Sequence, residues 1–98
     1  MTLVIACEAL AEGKRLTLNY DSHSRIVEVH AVGTSTAGNP IMRVWQTSGG
    51  SNKGGIPDWR LMRLDRASEI SITDEVSEAP RDGYKSGDKA MAFINCEI

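Results

Sequence analysis

The sequence predicts a mainly β domain: a small five-stranded antiparallel barrel or half-open sheet behind one N-terminal helix. Three observations point there. Helical spacing of apolar residues is confined to the first dozen positions. From Gly13 onward the apolar period is two, as half-buried strands require. Turn-forming clusters then recur about every ten residues, the rhythm of a small all-β fold. With 98 residues the chain has room for one domain and one core. Residues 3–73 are assigned to helix and barrel, and residues 74–98 to a C-terminal extension.

Residues 3–12 place Leu3, Ala6, Cys7 and Leu10 on one helical face, with Thr2 at the cap position and Gly13 supplying the left-handed C-terminal residue. Lys14 and Arg15 follow where cations complement the helix dipole. In the first strand, Arg15 to Tyr20, Leu16, Leu18 and Tyr20 share a face. Asp21 to Ser24 form a polar turn. The second strand, Arg25 to Val32, sets Val27, Val29 and Ala31 against Ile26, Glu28, His30 and Val32. Gly33 to Asn39 turn the chain again. In the third strand, Ile41 to Thr47, Met42, Val44 and Gln46 oppose Ile41, Arg43, Trp45 and Thr47. The glycine-rich stretch from Ser48 to Pro57 is expected as an exposed, mobile loop. Trp59 to Leu64 and Glu69 to Thr73 complete the five strands. Beyond them Asp74 to Asp88 is acidic and turn-rich, and Lys89 to Ile94 is apolar enough to pack back on the body.

Composition removes several classes of function. Apolar residues at 41% and charged residues at 24% describe an ordinary small globule rather than a disordered chain. The longest apolar run, Leu3 to Cys7, is too short for a bilayer or a secretion signal, so no membrane partner and a cytoplasmic location are expected. Cys7 and Cys96 are not spaced as a metal pair, and neither a metal nor a cofactor is expected. Both lie among apolar neighbours and are expected as buried free thiols in a reducing compartment, with a disulfide joining the two ends as the alternative that no sequence feature supports. Net charge is −2, but it is unevenly spread. Between Lys14 and Arg66 eight basic residues face four acidic ones, whereas the two ends hold three basic and nine acidic.

No constellation supports a reaction class. His23, between Ser22 and Ser24, fits turn chemistry better than a nucleophile with its base. His30 on its strand suits a structural or a ligand-contacting role equally. Asp74, Glu75 and Glu78 read as a solvated acidic stretch. Gly49, Gly50, Gly54 and Gly55 lack the following helix and lysine of a phosphate loop. A non-catalytic protein is expected. The densest chemistry is Trp59 to Arg66, where Arg60, Arg63 and Arg66 alternate with apolar residues. Such spacing suits bidentate phosphate recognition. It equally suits surface salt bridges to Asp58, Asp65 and Glu69.

At these residues the chain resembles the WYL domain family of bacteria and their phages. The resemblance covers roughly residues 3–73 and rests on Gly13 to Tyr20, Arg25 to His30 and, most specifically, Arg60 to Ala67. The name-giving aromatic triad is replaced by Pro40, Ile41 and Met42, with Trp45 three residues further on. The resemblance implies an Sm-like or SH3-like five-stranded barrel and a ligand-sensing role. By position, His30, Arg60, Arg63 and Arg66 become ligand contacts, with Tyr20 and Arg43 adjacent. Without a helix-turn-helix segment, the chain is not expected to be a transcription factor by itself.

The expected function is a binding module for a phosphate-bearing ligand, single-stranded nucleic acid or a nucleotide. Phosphates would pair with the arginines while a base stacks on Trp45 or Tyr20. The alternative is a self-assembly module, a homo-oligomer in which the barrel and its acidic tail contact neighbouring copies.

Overall fold

The computed structural model describes residues 2–50 and 55–98, so part of the expected glycine-rich loop, Lys53 included, lies outside the described residues. Helix α1 (Thr2–Glu12) leads into β1 (Lys14–Tyr20), β2 (His23–Ser35), β3 (Pro40–Gly49), β4 (Asp58–Arg63), a 3-10 turn (Leu64–Arg66), β5 (Ser68–Val76) and β6 (Met91–Glu97). The fold is mainly β with one N-terminal helix, and its strand pairs are antiparallel. The main path runs β4-β3-β2-β1-β5, with β6 attached to β2.

Each element has a local cause. α1 stops at Gly13, whose N–H still reaches the Leu10 carbonyl at 3.2 Å while its φ of +65° turns the chain away. β1 and β2 are joined by two residues, Asp21 and Ser22, both at positive φ, the geometry of a tight type I′ hairpin. The polar turn expected over four residues is therefore shorter, and β2 begins at His23.

Two expectations are corrected by the length of β2. Its 13 residues exceed what one neighbour can cover. The first half pairs with β1 (Tyr20 opposite His23, Leu16 opposite Val27), and the second half pairs on with β6 (Ala31 opposite Glu97, Ser35 opposite Met91). The C-terminal extension does pack back on the body, and it does so as a sixth strand beyond the five expected. Moreover, β4 and β5 meet only through the 3-10 turn, with no ladder between them among the described residues. The sheet is open, and a closed five-stranded barrel is not what these pairings describe.

Beneath the sheet, Leu16, Leu18, Val27, Val29, Val32, Met42, Val44, Met62 and Leu64 form one core with Ala6 and Ala9 of the helix. Leu3, Cys7 and Leu10 pack at its margin, as the helical spacing predicts. One face assignment fails. Opposite β3, Val29 meets Val44 but Ala31 meets Arg43, so an extra β2 residue is inserted between them. That bulge sends Val32 into the main core and Ala31 outward, to a second cluster with Ile41 and Met91. Cys7 and Cys96 are not free thiols: they form a disulfide with a Cα–Cα distance of 6.0 Å. The pairing of β6 with β2 brings the last turns of chain over α1, a proximity that two cysteines 89 positions apart do not advertise.

Candidate anion-binding site

Inner-face alternation continues past the apolar core to one end of the sheet and there turns polar. Tyr20 ends the row of Leu16 and Leu18, Arg25 precedes Val27, Gln46 follows Val44, and Arg60 precedes Met62. Tyr20 links the group. Its hydroxyl accepts the Arg63 N–H at 3.1 Å, and its ring lies 5.2 Å from the Arg25 guanidinium carbon. With Asn19, Asp21, Ser24, Arg66 and Ser68 it also lines an open depression of about 470 Å³.

The three arginines that stood out in the sequence are each paired with a nearby carboxylate. Arg60 Nη1 is 3.2 Å from Asp58, Arg63 forms two bonds of 3.0 and 2.6 Å to Asp65, and Arg66 lies 3.6 Å from Asp21. Pairing with Asp65 raises the Arg63 guanidinium above its usual range, and Arg63 in turn holds the Asp65 carboxyl low. Two of the three anticipated salt-bridge partners are therefore used; Glu69 instead accepts from the Asn19 amide at 2.8 Å. As period two along the strand requires, Arg60 lies on the inner row and Arg63 on the outer one.

Arg25 differs from all three in its burial and in having no ion pair. It is 4% exposed, its Nε has no hydrogen-bond partner, and its Nη1 meets only the Gln46 carbonyl oxygen at 3.4 Å. Among the described residues it forms no ion pair with a carboxylate. Burial pushes this guanidinium below the usual arginine range; Asp21 opposes the shift from a distance, and the charge of Arg60 adds to it. Four guanidiniums and four carboxylates meet at this end, but Glu69 is taken by the Asn19 amide, and the guanidinium left without an ion pair is the most buried. A guanidinium in this setting can be compensated by an oxyanion, because a buried charge without an ion pair keeps its field.

The remaining predicted residues, His30, Arg43 and Trp45, lie on the other face beneath the C-terminal extension. His30 is fully buried and fully bonded: Nδ1 lies 3.0 Å from the Glu28 carbonyl, and Nε2 accepts the Arg81 N–H at 3.0 Å. Only the neutral Nδ1–H form satisfies both contacts, and burial lowers its proton affinity accordingly. Arg43 is bidentate to Asp88 at 2.7 and 3.2 Å, which holds the Asp88 carboxyl low. Trp45 stands edge-on to Trp59, with Arg81 5.8 Å from its ring.

Between them sits Glu28, a residue that sequence reasoning passed over. It is fully buried and accepts from Arg81 at 2.6 and 3.2 Å, Arg15 at 3.0 Å and the Glu78 N–H at 2.8 Å. Burial alone would push its carboxyl up; the bonds from Arg81, Glu78 and Arg15 outweigh it and hold the group ionised below the usual range. Arg15 extends to Glu75 and Glu78, so part of the acidic stretch is fastened to β1 rather than merely solvated. The available signal was a carboxylate embedded in the β-branched run from Ile26 to Val32, a position that needs a partner if both strand faces are covered.

Among the described residues no group of three or more His, Cys, Asp or Glu is gathered as for a metal ion. No helix among the described residues is long and apolar enough to cross a membrane. Compared with known proteins, the chain matches no family model, no curated protein and no solved structure.

Proposed function

We propose that the chain is a non-catalytic, WYL-like binding module for a phosphate-bearing ligand, single-stranded nucleic acid or a nucleotide. The observation that carries this reading is Arg25, a buried guanidinium without a carboxylate, set beside Arg60 of the arginine-rich strand and behind Tyr20. A phosphate in the depression beside Tyr20 and Arg66 is held by displacing Asp21 from Arg66 and by the field of Arg25 behind the Tyr20 ring, while Tyr20 offers a ring for a base. Arg60 and Arg63 are neutralised by Asp58 and Asp65, so they contribute by direct contact with the phosphate and not by long-range attraction.

Fluorescence anisotropy with a labelled oligothymidylate and with a labelled cyclic nucleotide tests this. Binding should fall steeply as salt rises, and Arg25→Met or Arg60→Ala should weaken it about tenfold or more. Absence of binding to both probes at low salt overturns the proposal.

A second reading, self-assembly, is favoured by exposed apolar residues on strands with open edges: Leu61 on β4 is 43% exposed and Phe93 on β6 is 63% exposed. It predicts a homo-oligomer in sedimentation experiments that Leu61→Asp or Phe93→Asp dissociates. The acidic tail contributes less to this reading than its charge promised, because Glu75 and Glu78 already pair with Arg15 of the same chain.

A further inference from the structure

The extension builds a second cleft, on the face of the sheet opposite Arg25. Its volume is about 490 Å³, within the span of small-molecule sites. Arg43 and Trp59 line its sheet side, and Gly83, Tyr84, Lys85 and Lys89 line the extension side.

Its aromatic wall is held from behind. The Trp59 indole stands edge-on to His30 (4.7 Å, 72°) and to Trp45 (5.3 Å, 79°), while the Tyr84 ring lies 5.2 Å from His30 and 6.4 Å from Trp59. The extension side is equally fixed, although it contains no helix or strand. Tyr84 N–H donates to the Arg81 carbonyl at 3.1 Å, Gly87 N–H to Glu97 at 2.9 Å and Ala90 N–H to Asp88 at 2.9 Å. Gly83 lies against the indole in a conformation only glycine adopts comfortably, with φ +92°; a Cβ there would sit 3.3 Å from Trp59 Nε1. These contacts shape the wall before any ligand arrives.

Charge then sets the kind of ligand. Arg43 is matched by the two-bond pair with Asp88. Lys85 and Lys89 are exposed and form no ion pair among the described residues. The cleft therefore combines a rigid aromatic surface, one neutralised pair and two unmatched ammonium groups. A ring without charge uses only the first feature, and an inorganic anion only the last.

We propose that this cleft binds a small planar aromatic molecule carrying an oxyanion, its ring against Trp59 and Tyr84 and its phosphate or carboxylate at Lys85 and Lys89. The site is separate from the Arg25 end and does not depend on it.

Titration of ¹⁵N-labelled protein with adenosine monophosphate, indole-3-carboxylate, adenosine and inorganic phosphate tests the proposal. At least one of the first two should shift the Trp59 indole N–H together with the Gly83, Lys85 and Gly87 amides. Which of them does so identifies the oxyanion as phosphate or carboxylate. Adenosine and phosphate alone should bind at least about tenfold more weakly. The double variant Lys85→Ala/Lys89→Ala, both exposed positions, should weaken binding about tenfold, whereas Arg25→Met should leave it unchanged. Shifts confined to Tyr20, Arg25 and their neighbours overturn the inference while sustaining the proposed function. Absence of shifts at the Trp59 indole with both ring-bearing anions at about 10 mM also overturns it.

Discussion

Strand β2 buries two charges three residues apart and treats them in opposite ways. Glu28 is fully buried and receives two guanidiniums and a backbone N–H; Arg25 is 4% exposed and receives one long amide contact. Glu28 sits where β1 gives way to β6 along the β2 edge, and its partners come from β1 and the extension. Its network is complete within the chain and fastens residues 75–81 to the sheet. Arg25 sits at the open end of the core, where Asp21 and Arg60 act on it with opposite signs and neither is paired with it. A complete buried network is architecture, whereas an incomplete one sacrifices stability at a place that then favours an outside partner.

That contrast makes opposite demands on two substitutions. Glu28→Gln leaves Arg15 and Arg81 facing a neutral amide, and loss of one partner from a buried ion pair costs about 3–5 kcal/mol. Arg25→Met removes a poorly compensated charge and keeps an unbranched side chain. Its stability should stay within about 1 kcal/mol of the parent or rise, while ligand binding weakens about tenfold or more. Urea unfolding of both variants at neutral pH checks the pair. Equal losses would show that Arg25 is as structural as Glu28.

Acid should act on the two ends unequally. His30 is buried neutral with lowered proton affinity, so the unfolded chain takes up its proton first. Stability attributable to His30 is complete above the unfolded value of about 6.5 and declines as pH falls below it, by up to about 1.4 kcal/mol per pH unit. Glu28, whose folded value is depressed, contributes fully above its unfolded value of about 4.3 and loses that contribution at lower pH. Both groups hold the extension, so acid should release residues 77–90 before the Tyr20 end is disturbed. Hydrogen exchange between pH 7 and about 4 reads this directly, and His30→Gln should flatten the upper part of the pH dependence. Simultaneous loosening of both ends would contradict it.

Legibility of the molecule in its sequence follows the range of the interactions. The helix, the five strands and the turn at Asp21 rest on neighbours within a few residues, and period and turn chemistry display them. Strand β6 does not display itself, because Met91 to Glu97 lacks clean alternation and acquires its place from the unpaired half of β2. The disulfide depends on that same long-range pairing. Among the site residues, Tyr20, Arg60, Arg63 and Arg66 were visible as types, and the structure groups them around one end. Their carboxylate partners at Asp58 and Asp65 were visible as well. Arg25 was overlooked because one arginine beside a β-branched run looks like a strand-end cation; only the fold shows that it is covered. Glu28 and Arg81 lie 53 positions apart, a pairing that no local pattern marks.

The arginine density that first drew notice supplies the gentlest test. Arg66 and Asp21 are 59% and 37% exposed at 3.6 Å, and the Arg63 and Asp65 side chains are each more than 40% exposed. Solvent and salt screen such pairs, so Arg66→Ala should change stability by no more than about 0.5 kcal/mol. Its effect belongs to binding: removing a cation from the rim of the Tyr20 depression should reduce the salt dependence by about one counterion. Arg25→Met should instead lower affinity at every salt concentration, because its charge lies behind Tyr20 and is poorly screened. If the two substitutions gave the same salt profile, burial would not distinguish Arg25 from the rim cations, and the contrast with Glu28 would reduce to one of hydrogen-bond count.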